Sequence, residues 1–185
     1  MPPPIKVELE PYSSQLKDRT DTEIERLSQT LADCLIAIHH IGSTAIPGIH
    51  AKPIIDLLPV TTDLRLLDER QASFECMGYR YWGEYGIAGR RYCTRDCAAT
   101  SRRLVQLHCF QTGSSEIEKH LAFRDYLLDH PAEAMAYDRE KRRCRDLHPD
   151  DSHAYSDAKA AWITALLPTA IQYFRTKCAG DCSLR

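Results

Sequence analysis

The chain reads as an α/β protein with a helical C-terminal part, and three observations say so. Two apolar runs, Leu35 to Ile41 and Ile54 to Val60, are joined by a segment of small residues, glycine and proline, which is the pattern of buried strands linked by tight turns. Leu104, Val105, Leu107, Cys109 and Phe110 add a further strand. From Glu116 onward the spacing of apolar residues is helical.

Composition sets the bounds. A chain of 185 residues, 43% hydrophobic and 27% charged, suits one domain with a real core, expected over residues 1–176 with a flexible tail at 177–185. The formal net charge of −2 argues against a protein whose main task is to coat nucleic acid. Local basic clusters remain at Arg90-Arg91, Arg102-Arg103 and Lys141-Arg142-Arg143, and the last reads as the solvated outer side of a helix. No apolar run approaches the ~20 residues of a membrane span, and the Met-Pro-Pro-Pro start is not a signal peptide. The expectation is a cytoplasmic protein whose eight cysteines are thiols.

Taken in order, Ile5 to Leu9 alternate apolar and charged residues, a half-buried strand stopped by Pro11. A helix capped by Ser13 or Ser14 follows to about Cys34, with Leu16, Ile24, Leu27 and Leu31 as its apolar stripe. After the two central strands, Asp63 opens a helix from about Leu64 to Met77 that Gly78 ends. Tyr79 to Trp82 is a short strand. Gly83 to Tyr92, with three glycines and two arginines, is either a plain hairpin connection or a lid over a ligand. Helices are expected at Glu116 to Asp129, at Pro131 to Leu147 with the proline in its first turn, and at Tyr155 to Arg175, the last kinked or divided by Pro168.

The chemistry gathers between Ile38 and Val60. Gly42 takes backbone angles other residues avoid, and Ser43 and Thr44 offer hydroxyls and amides, a corner suited to phosphate. Lys52 stands in the following loop. Asp56 lies inside an apolar strand, and because an unpaired buried carboxylate costs several kcal/mol it must face a cleft, a cation or a ligand. The two-residue strand period puts Gln106 and His108 on one face, where Asp56 can point too. His40 and His108 are the acid/base candidates, because the unperturbed pKa of a histidine lies near neutrality.

These residues carry a resemblance. His-Ile-Gly-Ser-Thr-Ala-Ile-Pro-Gly followed by Ala-Lys-Pro-Ile-Ile-Asp resembles the signature of the GrpB family. Glu10-Pro11-Tyr12, Leu107-His108-Cys109-Phe110, Phe123-Arg124-Asp125-Tyr126-Leu127 with His130-Pro131, and Tyr155, Lys159 and Trp162-Ile163 resemble further segments of it. The likeness covers most of the chain, although Leu16 stands where the family usually has Trp. It implies a nucleotidyltransferase-like fold, a mixed sheet flanked by helices, with the Gly42-Ser43 turn at that superfamily's Gly-Ser motif. It implies a transferase acting on a nucleotide or other phosphate-bearing substrate with Mg²⁺ on Asp56, the substrate held by Gly42, Ser43, Thr44, Lys52, Glu84, Arg124 and Lys159, and Asp56, His108 and His40 as catalytic groups. The superfamily's second carboxylate would stand two residues after Asp56, at Leu58, and its third where His108 is, so this chain has room for one metal ion rather than two. Some fungal proteins that resemble this family join aminoacyl groups from charged tRNA, arginyl-tRNA among them, into cyclic dipeptides. That alternative makes tRNA a partner, with Asp56 or Glu84 holding a guanidinium or amine. A third reading, which the missing carboxylate favours, is a non-catalytic module that binds a nucleotide or a partner protein.

Overall fold

The computed structural model describes residues 4–182. Five strands, β1 (Leu35–Ile41), β2 (Ile55–Thr61), β3 (Tyr79–Tyr81), β4 (Arg90–Asp96) and β5 (Arg103–Gln111), form one sheet in the order β1-β2-β5-β4-β3. Only the β2–β5 pair is parallel, so the sheet is mixed, as expected. The helices are α1 (Ser14–Leu31), α2 (Leu64–Asp68), α3 (Gln71–Cys76), α4 (Ser115–Asp129), α5 (Pro131–Leu147) and α6 (Ser152–Cys182). No described helix is long and apolar enough to cross a membrane.

The two faces of the sheet are covered differently. Leu57, Leu107, Cys109 and Cys93 pack with Leu27 and Leu31 of α1, Leu67 of α2 and Phe74 of α3. On the other face Ile41, Leu58, Val60 and Phe110 meet Ile117 and Leu121 of α4. Because successive strand residues alternate, the residues Asp56, Gln106 and His108 belong to this second face. The C-terminal helices bury Leu127, Ala134 and Tyr137 with Phe123 and Trp162, and Ile46 and Ile49 of the β1–β2 connection join that cluster. The site is thereby enclosed between sheet, connection and helices.

Four expectations need correction. Residues 5–9 form no strand of the sheet: they run as a strap, joined by the Val7 N–H to the Pro149 carbonyl (2.7 Å) and the Ser152 N–H to the Ile5 carbonyl (3.0 Å), with one isolated bridge between Glu10 and Ala51. Their alternation arises because Val7 is buried against Cys144 and Tyr155 rather than on the sheet. The helix expected from Leu64 to Met77 is two helices. The chain tightens at Arg70, whose N–H bonds to Leu67, and its guanidinium takes the Leu66 carbonyl that an α-helix would have used. Lys141 is not solvated. The buried residues of α5 are Ala134, Tyr137, Asp138, Lys141 and Cys144, one helical face, and Lys141 donates to the His50 carbonyl while Asp138 accepts from the His50 N–H at 2.7 Å. Burial pushes Lys141 down to about 7. Finally, α6 is not divided at Pro168 and continues past Arg175 to Cys182; residues 183–185 lie outside the described residues.

Local capping follows the sequence closely at one point. Asp63 accepts the Arg65 N–H at 2.9 Å at the start of α2. Replacing Asp63 with Ala is expected to lower the denaturation midpoint; no shift would mean that the cap contributes nothing to so short a helix.

Candidate functional site

Strand register builds the site. Ile41 pairs with Asp56, so the turn after β1 closes directly over the carboxylate. Gly42 adopts φ 71°, ψ −170°, and a Cβ there would lie 2.6 Å from Asp56 Oδ2. Glycine is thus required twice, for its backbone angles and for the absent methyl. Residues Ser43–Ala45 then form one 3₁₀ turn, with the Ser43 side chain beside the Tyr137 phenol.

Asp56 pairs with Gln106 in the parallel β2–β5 ladder, and His108 Nε2 stands 3.8 Å from Asp56 Oδ1. On its far side, Nδ1 of His108 meets Arg90 Nη1 at 3.4 Å. Arginine only donates, so Nδ1 accepts and the ring proton sits on Nε2, towards Asp56. Burial pushes the Asp56 carboxyl up, but His108, Lys52 and Lys159 together outweigh it and hold it below the ordinary carboxylate value. Asp56 is therefore ionised.

Two lysines converge on the same space. The Lys52 and Lys159 ammonium groups lie 5.5 Å and 4.9 Å from the centre of the Tyr155 ring. Burial first, then the neighbouring Lys159, pushes Lys52 down to about 8. Lys159 is also lowered by burial, with Asp56 acting against it. A pair of cations held in one partly desolvated place is costly unless an anion sits between them.

These groups line one cavity of about 340 Å³, walled by the turn, the sheet and α4, α5 and α6. The structure brings together Gly42, Ser43, Thr44, Lys52, Asp56, His108 and Lys159 from the expected set. It does not bring His40, Glu84 or Arg124 to the cavity. His40 pairs with Leu57 and so belongs to the opposite face, where its Nε2 meets the Thr44 hydroxyl at 2.8 Å and burial lowers its pKa. Arg124 donates to Asp125 at 2.6 Å and to the His40 carbonyl at 2.9 Å, which makes it a tie between α4 and β1. Glu84 is a hairpin residue: its carboxylate accepts the Gly89 N–H at 2.7 Å. The Gly83–Tyr92 segment is a hairpin connection, closed by the Tyr92 N–H to the Gly83 carbonyl at 2.8 Å.

Several wall residues carry no role in the sequence reading, His120, Tyr137, Glu116 and Lys119 among them. His120 of α4 lies 5.5 Å from His108, ring to ring, and burial, reinforced by His108, drives it down to about 3, so it stays neutral. Tyr137 stacks on Trp162 at 5.0 Å, and burial pushes its phenol up to about 12. Glu116 is engaged by Lys119 at 2.6 Å. Glu116, Lys119, His120 and Phe123 all line the cavity at i, i+3, i+4 and i+7, and that helical spacing was a signal available in the sequence.

Comparison with known proteins bears on this geometry. The family model described as GrpB protein matches residues 6–169. UPF0157 protein YqkA of Bacillus subtilis (strain 168) is 39% identical over 161 residues, 87% of this chain and 46% of that protein; the chain thus spans about half the length of that relative. UPF0157 protein BH1888 of Halalkalibacterium halodurans is 30% identical over 170 residues, 89% of this chain and 80% of that one. The crystal structure of conserved protein GrpB from Enterococcus faecalis superimposes with a TM-score of 0.84 at 34% identity, covering 90% of this chain and 99% of that chain. The overlap with the structure of Cid1 in complex with its short product ApU is partial, with a TM-score of 0.44 at 11% identity over 63% of this chain and 37% of that one.

Proposed function

The chain belongs to the GrpB family, and we propose that its cavity binds a phosphate-bearing substrate, of nucleotide type, and transfers a phosphorus-centred group from it. The observation that carries this reading is the convergence of Lys52 and Lys159, both half-buried and both lowered in pKa, beside the Gly42–Ser43 turn and an ionised Asp56. Lysines with depressed pKa values facing one another create a demand for negative charge that a phosphate meets. Once the phosphate neutralises the lysines, two of the influences that depress Asp56 are removed and it becomes a stronger base. In the transfer step, Asp56 takes the proton of an acceptor hydroxyl, the hydroxyl oxygen bonds to phosphorus, and the bond from phosphorus to the departing phosphate breaks with its electron pair leaving on that oxygen. His108, with its Nε2 proton turned towards the carboxylate at 3.8 Å, favours the charged form of Asp56 by its field.

The donor set does not fit a pair of metal ions. Leu58 follows Asp56 on the same face, Gln106 is its neighbour on β5, and among the described residues no group of three or more His, Cys, Asp or Glu side chains could hold a metal. A single Mg²⁺ carried in by the substrate's phosphates would find Asp56 as its protein ligand and would offset phosphate charge.

Calorimetric titration with ATP, whose own phosphates are fully ionised at pH 8, tests the reading. Affinity is expected to fall as pH rises from 7 to 9.5, because Lys52 loses its charge above about 8. At pH 8 the heat is expected to depend on the buffer's ionisation enthalpy, since the bound phosphate raises the Lys52 pKa and binding takes up a proton. The same group works in the opposite sense on folding: its native pKa lies below its unfolded value, so its contribution to stability rises with pH between about 8 and the ordinary lysine value. Binding that is absent, or indifferent to pH over this range, would defeat the proposal.

A further inference from the structure

A second cavity of about 570 Å³ adjoins the first, and Lys52, Gln106, His108 and Ser156 line both. A ligand group in one therefore meets a ligand group in the other beside His108. The second cavity has a chemical character of its own. Tyr92 pairs with His108 across β4 and β5, and the Tyr85 ring stacks on Tyr92 at 5.0 Å and 17°. The Arg90 guanidinium lies 4.9 Å from the Tyr92 centroid and 5.7 Å from that of Tyr85, tied back to the Glu84 carbonyl at 3.1 Å and to the Tyr85 carbonyl.

Tyr85 is held at φ 46°, left-handed backbone that a tyrosine adopts only at a cost. A hairpin alone gives no reason to keep a bulky residue there when glycines stand at 83, 86 and 89. The strain is accounted for if the ring's position matters. Arg103, 9% exposed and anchored by Asp96, and Lys52 supply positive charge to the same cavity, against Asp157 as its carboxylate. Aromatic rings backed by a guanidinium are surfaces on which nucleobases stack, and arginine with lysine recognises phosphate.

We propose that the second cavity is the subsite of a second substrate, a nucleoside phosphate, with its base against Tyr85, its phosphate towards Arg103 and Lys52, and a sugar hydroxyl directed to the Asp56–His108 pair. The assignment of that hydroxyl as the acceptor rests on the transfer reading of the first cavity; the binding subsite does not.

The test uses AMP as probe for the second cavity and inorganic pyrophosphate for the first, by calorimetry on the full chain. AMP is expected to bind in the presence of saturating pyrophosphate, and Tyr85→Ala to weaken AMP about tenfold while pyrophosphate affinity stays unchanged and Tyr85→Phe behaves as the parent. AMP that fails to bind, that is displaced by pyrophosphate, or that binds Tyr85→Ala as well as the parent overturns the subsite. Should pyrophosphate not bind while AMP binding remains sensitive to Tyr85, the phosphate reading of the first cavity fails and the second site stands.

Discussion

Replacing Lys159 or Lys52 with methionine is expected to weaken ATP binding by about ten- to a hundredfold while leaving the fold as stable as the parent or more so. The loss follows from the charge-assisted hydrogen bond each ammonium would make to phosphate, about 1.5–3 kcal/mol. The stability outcome has the opposite sign because the lysines are held where charge is unwelcome: burial is the leading cause that depresses both, and Lys159 in turn depresses Lys52. Methionine keeps the length of the side chain and a favourable contact with the Tyr155 ring, so removing the ammonium removes a desolvation cost without opening a cavity. A residue that is costly to the empty fold and needed by the ligand is the signature of a site rather than of a structural tie. Lys141 provides the contrast. It is fully buried and also lowered, to about 7, but it is joined to Asp138 and the His50 carbonyl, and its removal leaves those groups unpaired. Calorimetry and denaturant unfolding on the same variants separate the two quantities. Unchanged ATP affinity in both lysine variants would remove the anion site.

Gly42→Ala should be more damaging than the same change at any other described glycine, about 3 kcal/mol in unfolding free energy, together with loss of ligand binding. The backbone at φ 71°, ψ −170° lies in a region that is essentially glycine's alone, worth about 1–3 kcal/mol by itself. The new methyl would also stand 2.6 Å from Asp56 Oδ2 and 3.1 Å from Asp56 Cβ. Neither can yield freely, because Asp56 is fixed in the β2–β5 ladder and Gly42 follows the residue paired with it. Gly48 is the control. It also has positive φ, 82°, but an added Cβ meets no heavy atom within 4 Å, so Gly48→Ala carries the conformational cost alone. Denaturant unfolding of the two variants, with ATP affinity measured on each, checks the difference. Equal destabilisation with binding kept in both would mean that Asp56 moves aside at no cost and that its position under the turn is unimportant.

The sequence revealed the site where chemistry and strand period coincide. Asp56 in an apolar strand, Gly42 before two hydroxyl residues, and His108 on an alternating strand are each anomalies that a residue-by-residue reading detects, and all three line the cavity. What it could not supply is register. His40 and Asp56 look like neighbours across a turn, but only the pairing of Ile41 with Asp56 and of His40 with Leu57 shows that they occupy opposite faces. Arg124 raises the same difficulty on a helix, since its partner, the His40 carbonyl, comes from a strand distant in sequence. Lys141 misled for another reason: a charged run normally marks a solvated face, yet the spacing of Ala134, Tyr137, Asp138, Lys141 and Cys144 was that of a buried stripe, and the stripe decided. The N-terminal strap shows the limit of alternation itself, because a segment that buries every other residue against helices has the same pattern as one that does so in a sheet.

The central proposal, that Lys52 and Lys159 form an anion site with Asp56 and the Gly42 turn, is tested most directly by NMR titration of the lysine ε-carbons with and without ATP, assigned with the Lys52→Met and Lys159→Met variants. The account predicts that Lys52 in the free protein titrates near 8, that Lys159 is lowered as well, and that both move upward when ATP binds. Ordinary lysine titration at both positions, or lowered values that ATP leaves unchanged, would contradict it.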